Sequence, residues 1–365
     1  MLEIEKIINS INGEIGEEDY LEPLTILLDS LNNEANLSFL GELAASYQIK
    51  NHLQTRANIY EITNLFSLEE TSPPLFIMGL PRSGTTFLFN LLSLDSDHRS
   101  PLFWEMMYPL PLSAKGSFNE KKTIYLAKLM LLFKETLIPG LDSIHAIEAT
   151  SPEECLLIKT LSIRSLVYTY MAHIPSYQQF LEQENFLPAF KWHKRFLQCL
   201  EMQDKPERWL LKDPCHLQHI PEILKTYPEA RFINISRDPV ETIPSLCNLT
   251  ASVRAGFTKN IDKHKIGKQS LDFWSLVMDK YTNDRQSIDP NLIIDVDYED
   301  FIENPVHEVR KIYHHFGLEL DTQAESSMLS YDNLSTSKNK KNHKYKPEEF
   351  GLDKDLIRKK LKFTL

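Results

Sequence analysis

No two cysteines of this chain are spaced to clamp a metal ion. Cys155, Cys199, Cys215 and Cys247 lie far apart, with no CxxC pair and no histidines at zinc-finger spacing. Free or buried thiols in a reducing, cytoplasmic compartment are therefore expected, not a disulfide framework. Basic charge is also short. The 40 Lys and Arg residues against 51 Asp and Glu leave a formal net charge of −11, which argues against general nucleic-acid binding. Long apolar runs are missing too. The opening MLEIEKIINSINGEIGEEDY carries acids and no apolar core of the kind a secretory signal needs. The most apolar later stretch, residues 125–137, is interrupted by Lys128, Lys134 and Glu135, so no segment reaches the ~20 apolar residues of a membrane span. There is no internal repeat and no low-complexity tract.

What is present is organised around residues 73–92, PPLFIMGLPRSGTTFLFNLL. Leu75 to Met78 make a short apolar run suited to a buried parallel strand. Gly79 and Pro81 break it, and after Ser83, Gly84, Thr85 and Thr86 comes a helical stripe of Phe87, Leu88, Leu91 and Leu92. A strand, a tight loop and a helix start aim backbone N–H groups and the positive end of the helix dipole at one point, so the expected ligand is a phosphate or a similar oxyanion. The spacing almost matches the Walker loop GxxxxGK[ST], but Thr85 stands where the lysine belongs and Arg82 sits inside the loop. The competing explanation is a plain turn that binds nothing.

Residues 208–249 carry the second signal. Trp209 to Leu211 read as a strand closed by Lys212-Asp213-Pro214, with a helix from about His216 to Tyr227. Arg231 to Ser236 read as another strand, closed by Arg237-Asp238-Pro239 ahead of a further helix. This is β-α-β-α grammar for a parallel sheet, in which ligand groups gather past the carboxyl ends of the strands. The loop at 79–86, Lys212 and Arg237 all occupy such positions. NLIIDVD at 291–297 is a further strand whose Asp295 and Asp297 can imitate a magnesium-holding acid. After it, a helix from about Asn304 to His315 ends at Gly317.

Outside this core, residues 1–72 read as a helical extension, or as a partner-binding arm, and 110–205 as a helical cover dense in aromatics where an acceptor pocket would form. Pro101 to Trp104 predict a short strand or loop ended by Glu105. An acid in such apolar company suits a general base; the competing explanation, which local composition favours, is a solvated Glu at a strand end. Ser151-Pro152-Glu153-Glu154 reads as a capped helix start, and His145 just before it is either a pocket residue or a surface histidine. The basic run SKNKKNHKYK at 337–346, with Lys341, His343 and Lys344, is either a solvated loop or a flap over a polyanionic cofactor.

These residues resemble the sulfotransferase family. PRSGTT after a strand looks like the loop that holds the 5′-phosphosulfate of PAPS (3′-phosphoadenosine 5′-phosphosulfate). Arg237 followed eight positions later by Ser245 resembles the family's 3′-phosphate pair. LLKDP, YPEARFINISRDP and HKYKPEEFGL are similar to stretches of the protein-tyrosine and bacterial branches, and the likeness runs over about 73–352. The resemblance implies an α/β fold: a three-layer parallel sheet with a P-loop-like nucleotide-binding core in residues 73–365, a helical N-terminal extension and a helical substrate cover. It implies in-line sulfuryl transfer from PAPS, without a metal, to a hydroxyl or amine of a small-molecule, lipid or glycoside acceptor. Arg82, Lys212 and residues Ser83, Gly84, Thr85 and Thr86 would stabilise the developing charge, and Arg237 and Ser245 would bind the 3′-phosphate. Glu105 would take the acceptor proton, with His145 as the alternative base. Asp295 and Asp297 become structural acids. The other readings are a P-loop kinase or NTPase using Mg-ATP, and a non-catalytic nucleotide-binding or interaction protein.

Overall fold

Five short strands, none longer than six residues, form one sheet: β1 Pro74–Met78, β2 His98–Arg99, β3 Arg208–Lys212, β4 Arg231–Ser236 and β5 Ile293–Asp297. Their order is β2-β3-β1-β4-β5 and every pairing is parallel. The chain leaves central β1 for one side of the sheet and later returns to the other, so the crevice of an open α/β sheet falls beyond the ends of β1, β3 and β4. This computed structural model describes residues 1–109, 115–144, 146–338 and 345–361.

β1 is fully buried along its length, as a central parallel strand must be. Leu75 and Ile77 face a cluster with Leu88, Leu91, Ile233, Ile235 and Val309. This brings in the Thr85–Leu92 and Pro305–Phe316 helices. On the other face Phe76 stacks on Phe232 and meets the edge of His216. That face is covered through the 3-10 turn Pro214–Gln218, which the long helix Lys263–Arg285 packs against. Helix, sheet and helix make the three layers, and the expected α/β fold is present.

The sheet belongs to a unit made of Ser72–Ser100, Pro206–Asn248 and Asp262–Leu365; a second unit gathers Met1–Thr71, Pro101–Lys205 and Leu249–Ile261. Arg56, with no exposed surface, organises the second unit. Its guanidinium lies 3.8 Å from the Trp192 ring centroid and 4.9 Å from that of Tyr20. It donates to the carbonyls of Ile15, Leu161 and Glu17 and pairs with Asp19. A buried guanidinium is tolerable only when its donors are satisfied in this way. Tyr168, Tyr177, Phe190 and Trp192 are core residues here, so helix packing accounts for much of the aromatic density. Among the described residues no helix is long and apolar enough to cross a membrane.

Three local expectations are corrected. The short strand or loop expected over 101–104 gives way at Phe103 to a helix that runs to Met107 and holds Glu105 inside it. No helix begins at Ser151. The backbone of 149–153 is committed elsewhere: Phe103 N donates to Ser151 O, Trp104 N to Ala149 O and Glu153 N to Pro101 O, with Leu102 bridged to Pro152. A long-range pairing has overridden a good local capping signal. The expected helix from His216 to Tyr227 is two pieces, Pro214–Gln218 and Ile220–Thr226. Pro221 lacks the N–H that a continuous helix would use there.

His52 gives the second unit a pH signature. The side chain is buried, bonds the Tyr168 hydroxyl at 2.8 Å, and burial lowers its pKa from 6.5 to about 3. The unfolded chain therefore binds a proton that the fold refuses. Stability is complete above about pH 6.5 and falls as the pH drops towards 3. Urea unfolding followed at pH 7 and pH 5 is expected to show a loss of about 2 kcal/mol, and His52→Gln is expected to flatten that dependence.

Candidate active site

The loop after β1 has a conformation that few sequences allow. Gly79 has φ 151° and Gly84 φ 97°. A Cβ on Gly79 would lie 2.3 Å from the Ile235 carbonyl, and one on Gly84 2.8 Å from the Tyr298 ring. Between them Arg82 is held at φ 72°, a left-handed conformation that costs a non-glycine residue on the order of 1–3 kcal/mol. Ser83 N donates to Leu80 O, which closes the turn. The Thr85–Leu92 helix then starts with no side chain capping it, so its first N–H groups are available to a ligand. The Ser83 hydroxyl is fully buried, with no hydrogen-bond partner among the described residues.

Three cations surround this loop. Lys212 is the last residue of β3, in register with Ile77 of β1. It is 2% exposed, and its Nζ lies 3.3 Å from Thr86 Oγ1 and 5.6 Å from the Phe89 ring centroid. Arg237 follows β4 directly. Its Nε donates to Glu241 at 3.0 Å and its Nη1 to the Arg82 carbonyl at 3.3 Å, while its guanidinium lies 4.0 Å over the ring of Tyr298. The Arg82 side chain runs on to Ser245, its Nε donating to Ser245 Oγ at 3.1 Å. Ser245 stands in the second turn of the Pro239–Phe257 helix.

The predicted residues thus fall into separate sets. Arg82, Ser83, Gly84, Thr85, Thr86, Lys212, Arg237 and Ser245 share one unit and gather around one loop. Two clusters form within it: Lys212 beside Thr86 at the helix start, and Arg82, Arg237 and Ser245 at the loop's lip. Glu105 lies in the other unit, 5% exposed at the third position of the Phe103–Met107 helix, where Oε2 accepts from Leu102 N at 2.8 Å. His145, Lys341, His343 and Lys344 lie outside the described residues.

Asp295 and Asp297 serve the sheet. Asp295 accepts from Asn234 Nδ2 at 2.8 Å and faces Arg285 at 3.2 Å, and Asp297 caps the Tyr298–Glu303 helix. Sequence reading missed Tyr298 and Glu241. Both carried a signal. Tyr298 is the first residue past β5, level with Arg237 because Ser236 pairs with Asp297, and Glu241 stands four residues after Arg237.

A buried hydroxyl without a partner among the described residues, an uncapped helix start and three cations around one loop suit a ligand with anionic groups. The family comparison agrees. A model of the sulfotransferase family matches residues 73–322. The chain is 27% identical over 253 residues to omega-hydroxy-beta-dihydromenaquinone-9 sulfotransferase Stf3 of Mycobacterium bovis and of Mycobacterium tuberculosis. That match covers 67% of this chain and 63% of the length of those relatives. Two solved structures align with nearly the whole chain. Sulfotransferase STF1 from Mycobacterium tuberculosis H37Rv is 28% identical with a TM-score of 0.85, covering 99% of this chain and 98% of that one. Sulfotransferase STF9 from Mycobacterium avium has a TM-score of 0.87 at 21% identity, over 99% of this chain and 95% of that one, a likeness of fold. With a family model over residues 73–322 and the loop built as described, the chain belongs to the sulfotransferase family.

Proposed function

We propose that this chain transfers a sulfuryl group from PAPS to a hydroxyl on an apolar small-molecule acceptor. The observation that carries the reading is the joint at the lip of the loop, where Arg237 donates to the Arg82 carbonyl and Arg82 donates to Ser245. Three chain segments place two guanidinium groups and a hydroxyl there, apart from the helix start and its lysine. A ligand anionic at one end only would leave one of the two clusters unused. PAPS, when bound, supplies the sulfuryl group and a good leaving group, PAP.

The residues divide the work. Arg237, Ser245 and Arg82 would hold the 3′-phosphate, so Arg82 moves to this group from the reacting end. The start of the Thr85–Leu92 helix and the Ser83 hydroxyl would hold the 5′ end. Lys212 would neutralise charge growing on the departing oxygen, and a buried ammonium fixed before the reaction does this without reorganising solvent. Glu105 would take the acceptor proton, its carboxylate oriented by the Leu102 N–H. The Stf3 relatives are named for omega-hydroxy-beta-dihydromenaquinone-9, and we carry to this chain only the acceptor class, a hydroxyl on a lipid-like molecule.

Thermal shift separates the readings. PAP is expected to raise the melting temperature without added metal; a response to Mg-ATP alone would assign the loop to an NTPase. Arg237→Ala is expected to weaken PAP binding roughly 10- to 100-fold, the loss of charge-assisted hydrogen bonds. Affinity for AMP, which lacks the 3′-phosphate, should barely change; equal losses for both would remove Arg237 from that role.

Single-turnover assays with labelled PAPS test the chemistry. Lys212→Ala is expected to lower the transfer rate about 100- to 1,000-fold while PAP still binds. Glu105→Gln keeps an oxygen to accept from Leu102 N but cannot take a proton. It is expected to keep the wild-type melting temperature and lose roughly 100- to 10,000-fold in turnover. Wild-type turnover in that variant would leave Glu105 as a helix cap and move the base to His145.

A further inference from the structure

The Phe118–Leu137 helix is apolar on two opposite faces. One face is accounted for: Ile124, Ala127, Met130 and Leu131 pack against Phe103, Trp104 and Met107 of the same unit. On the other, Phe118, Tyr125, Leu126, Leu129, Leu132 and Phe133 are exposed, from 36% at Leu126 to 80% at Phe118. At 100° per residue these six fall within an arc of about 120°, a stripe along roughly 23 Å of helix.

The charges on the helix are sorted. Lys121, Lys122 and Lys128 are exposed on the same arc or at its edge. Its acids, Glu120 and Glu135, point their carboxylates at backbone N–H groups off the helix ends: Glu120 accepts from Gly116 N, and Glu135 from Gly140 N at 2.7 Å and Asp142 N at 3.2 Å. In a chain with 51 acids and 40 Lys and Arg, this stripe carries lysines and no acid. Packing two such stripes from two copies of the chain would set lysines against lysines. The complementary surface is one that is apolar inside and anionic at its rim.

We propose that this face docks the protein on the surface of an anionic lipid bilayer. The helix lies in the interface with its aromatic and aliphatic side chains in the acyl boundary and its three lysines at the level of the lipid phosphates. Lys128, one of the charges that interrupt the apolar run at 125–137, belongs to the set that an interfacial helix uses. This proposal does not depend on the sulfuryl-transfer reading, and its test does not use enzyme activity.

The test is sedimentation of the full chain with phosphatidylcholine vesicles, with and without phosphatidylglycerol. Binding is expected to the anionic vesicles and to weaken with added salt. The double variant Leu129→Glu/Phe133→Glu changes exposed positions only. It should keep its circular dichroism and melting temperature and lose about tenfold or more in vesicle partitioning. Lys122→Ala and Lys128→Ala are each expected to lower partitioning roughly fivefold, an effect that high salt removes. The proposal is overturned if the wild type ignores anionic vesicles, or if the double variant binds them as well as the wild type does. A dimer in sedimentation velocity that the double variant splits, with no vesicle binding, would instead assign the stripe to a second copy of the chain.

Discussion

The guanidinium of Arg237 ties the ends of three strands together. It leaves β4 directly, lies over Tyr298 at the end of β5, and donates to the carbonyl of Arg82 in the loop after β1. Each contact constrains a different coordinate: the ring fixes the plane of the guanidinium, Glu241 fixes its rotation, and the Arg82 carbonyl fixes the loop. The left-handed backbone at Arg82 is sustained by this surrounding frame. With Arg82 in the loop, Lys212 at the end of β3 and Arg237 after β4, positive charge is concentrated there, and Glu241 offsets part of it at Arg237. An anion that bound there, and only to the folded state, would relieve that repulsion and stabilise the fold.

The parts of this site that were legible in the sequence are those set by local chain geometry. A buried run ended by glycine and followed by a helical stripe leaves few options, and β1 and its loop stand where the pattern puts them. A charged residue that closes a parallel strand must lie at the carboxyl edge, which located Lys212 and Arg237 from their positions alone. The spacing of Arg237 and Ser245 is set by a helix that begins at Pro239, so a fixed offset carried spatial meaning.

What was not legible depends on partners distant in sequence. Residues 151–154 satisfy every local rule for a helix start, yet their neighbourhood bonds to residues 101–104, about 50 positions earlier. The Arg82 side chain finds a partner in Ser245, 163 residues away. Residues 1–72 read as an extension because their helices are polar outside and apolar inside, which says only that they pack on something. Arg56 identifies part of what they pack on, since its donors reach Leu161 and its ring partner is Trp192.

Asp297 shows how a residue apparently offered to a metal can act on the site at one remove. Its carboxylate accepts from Glu299 N and caps the helix whose first residue is Tyr298. Asp295, two positions earlier, joins β5 to β4 through Asn234 and to the Lys263–Arg285 helix through Arg285. Together the two acids fix the height and direction at which the chain leaves β5, and so where the Tyr298 ring stands. That ring lies against Arg237, and its edge occupies the space that only a glycine at position 84 leaves open. Two carboxylates at a strand end therefore reach Arg237 and the loop after β1 through a helix cap and an aromatic ring. Their types follow from that chain of contacts without a divalent ion having to be assumed at β5.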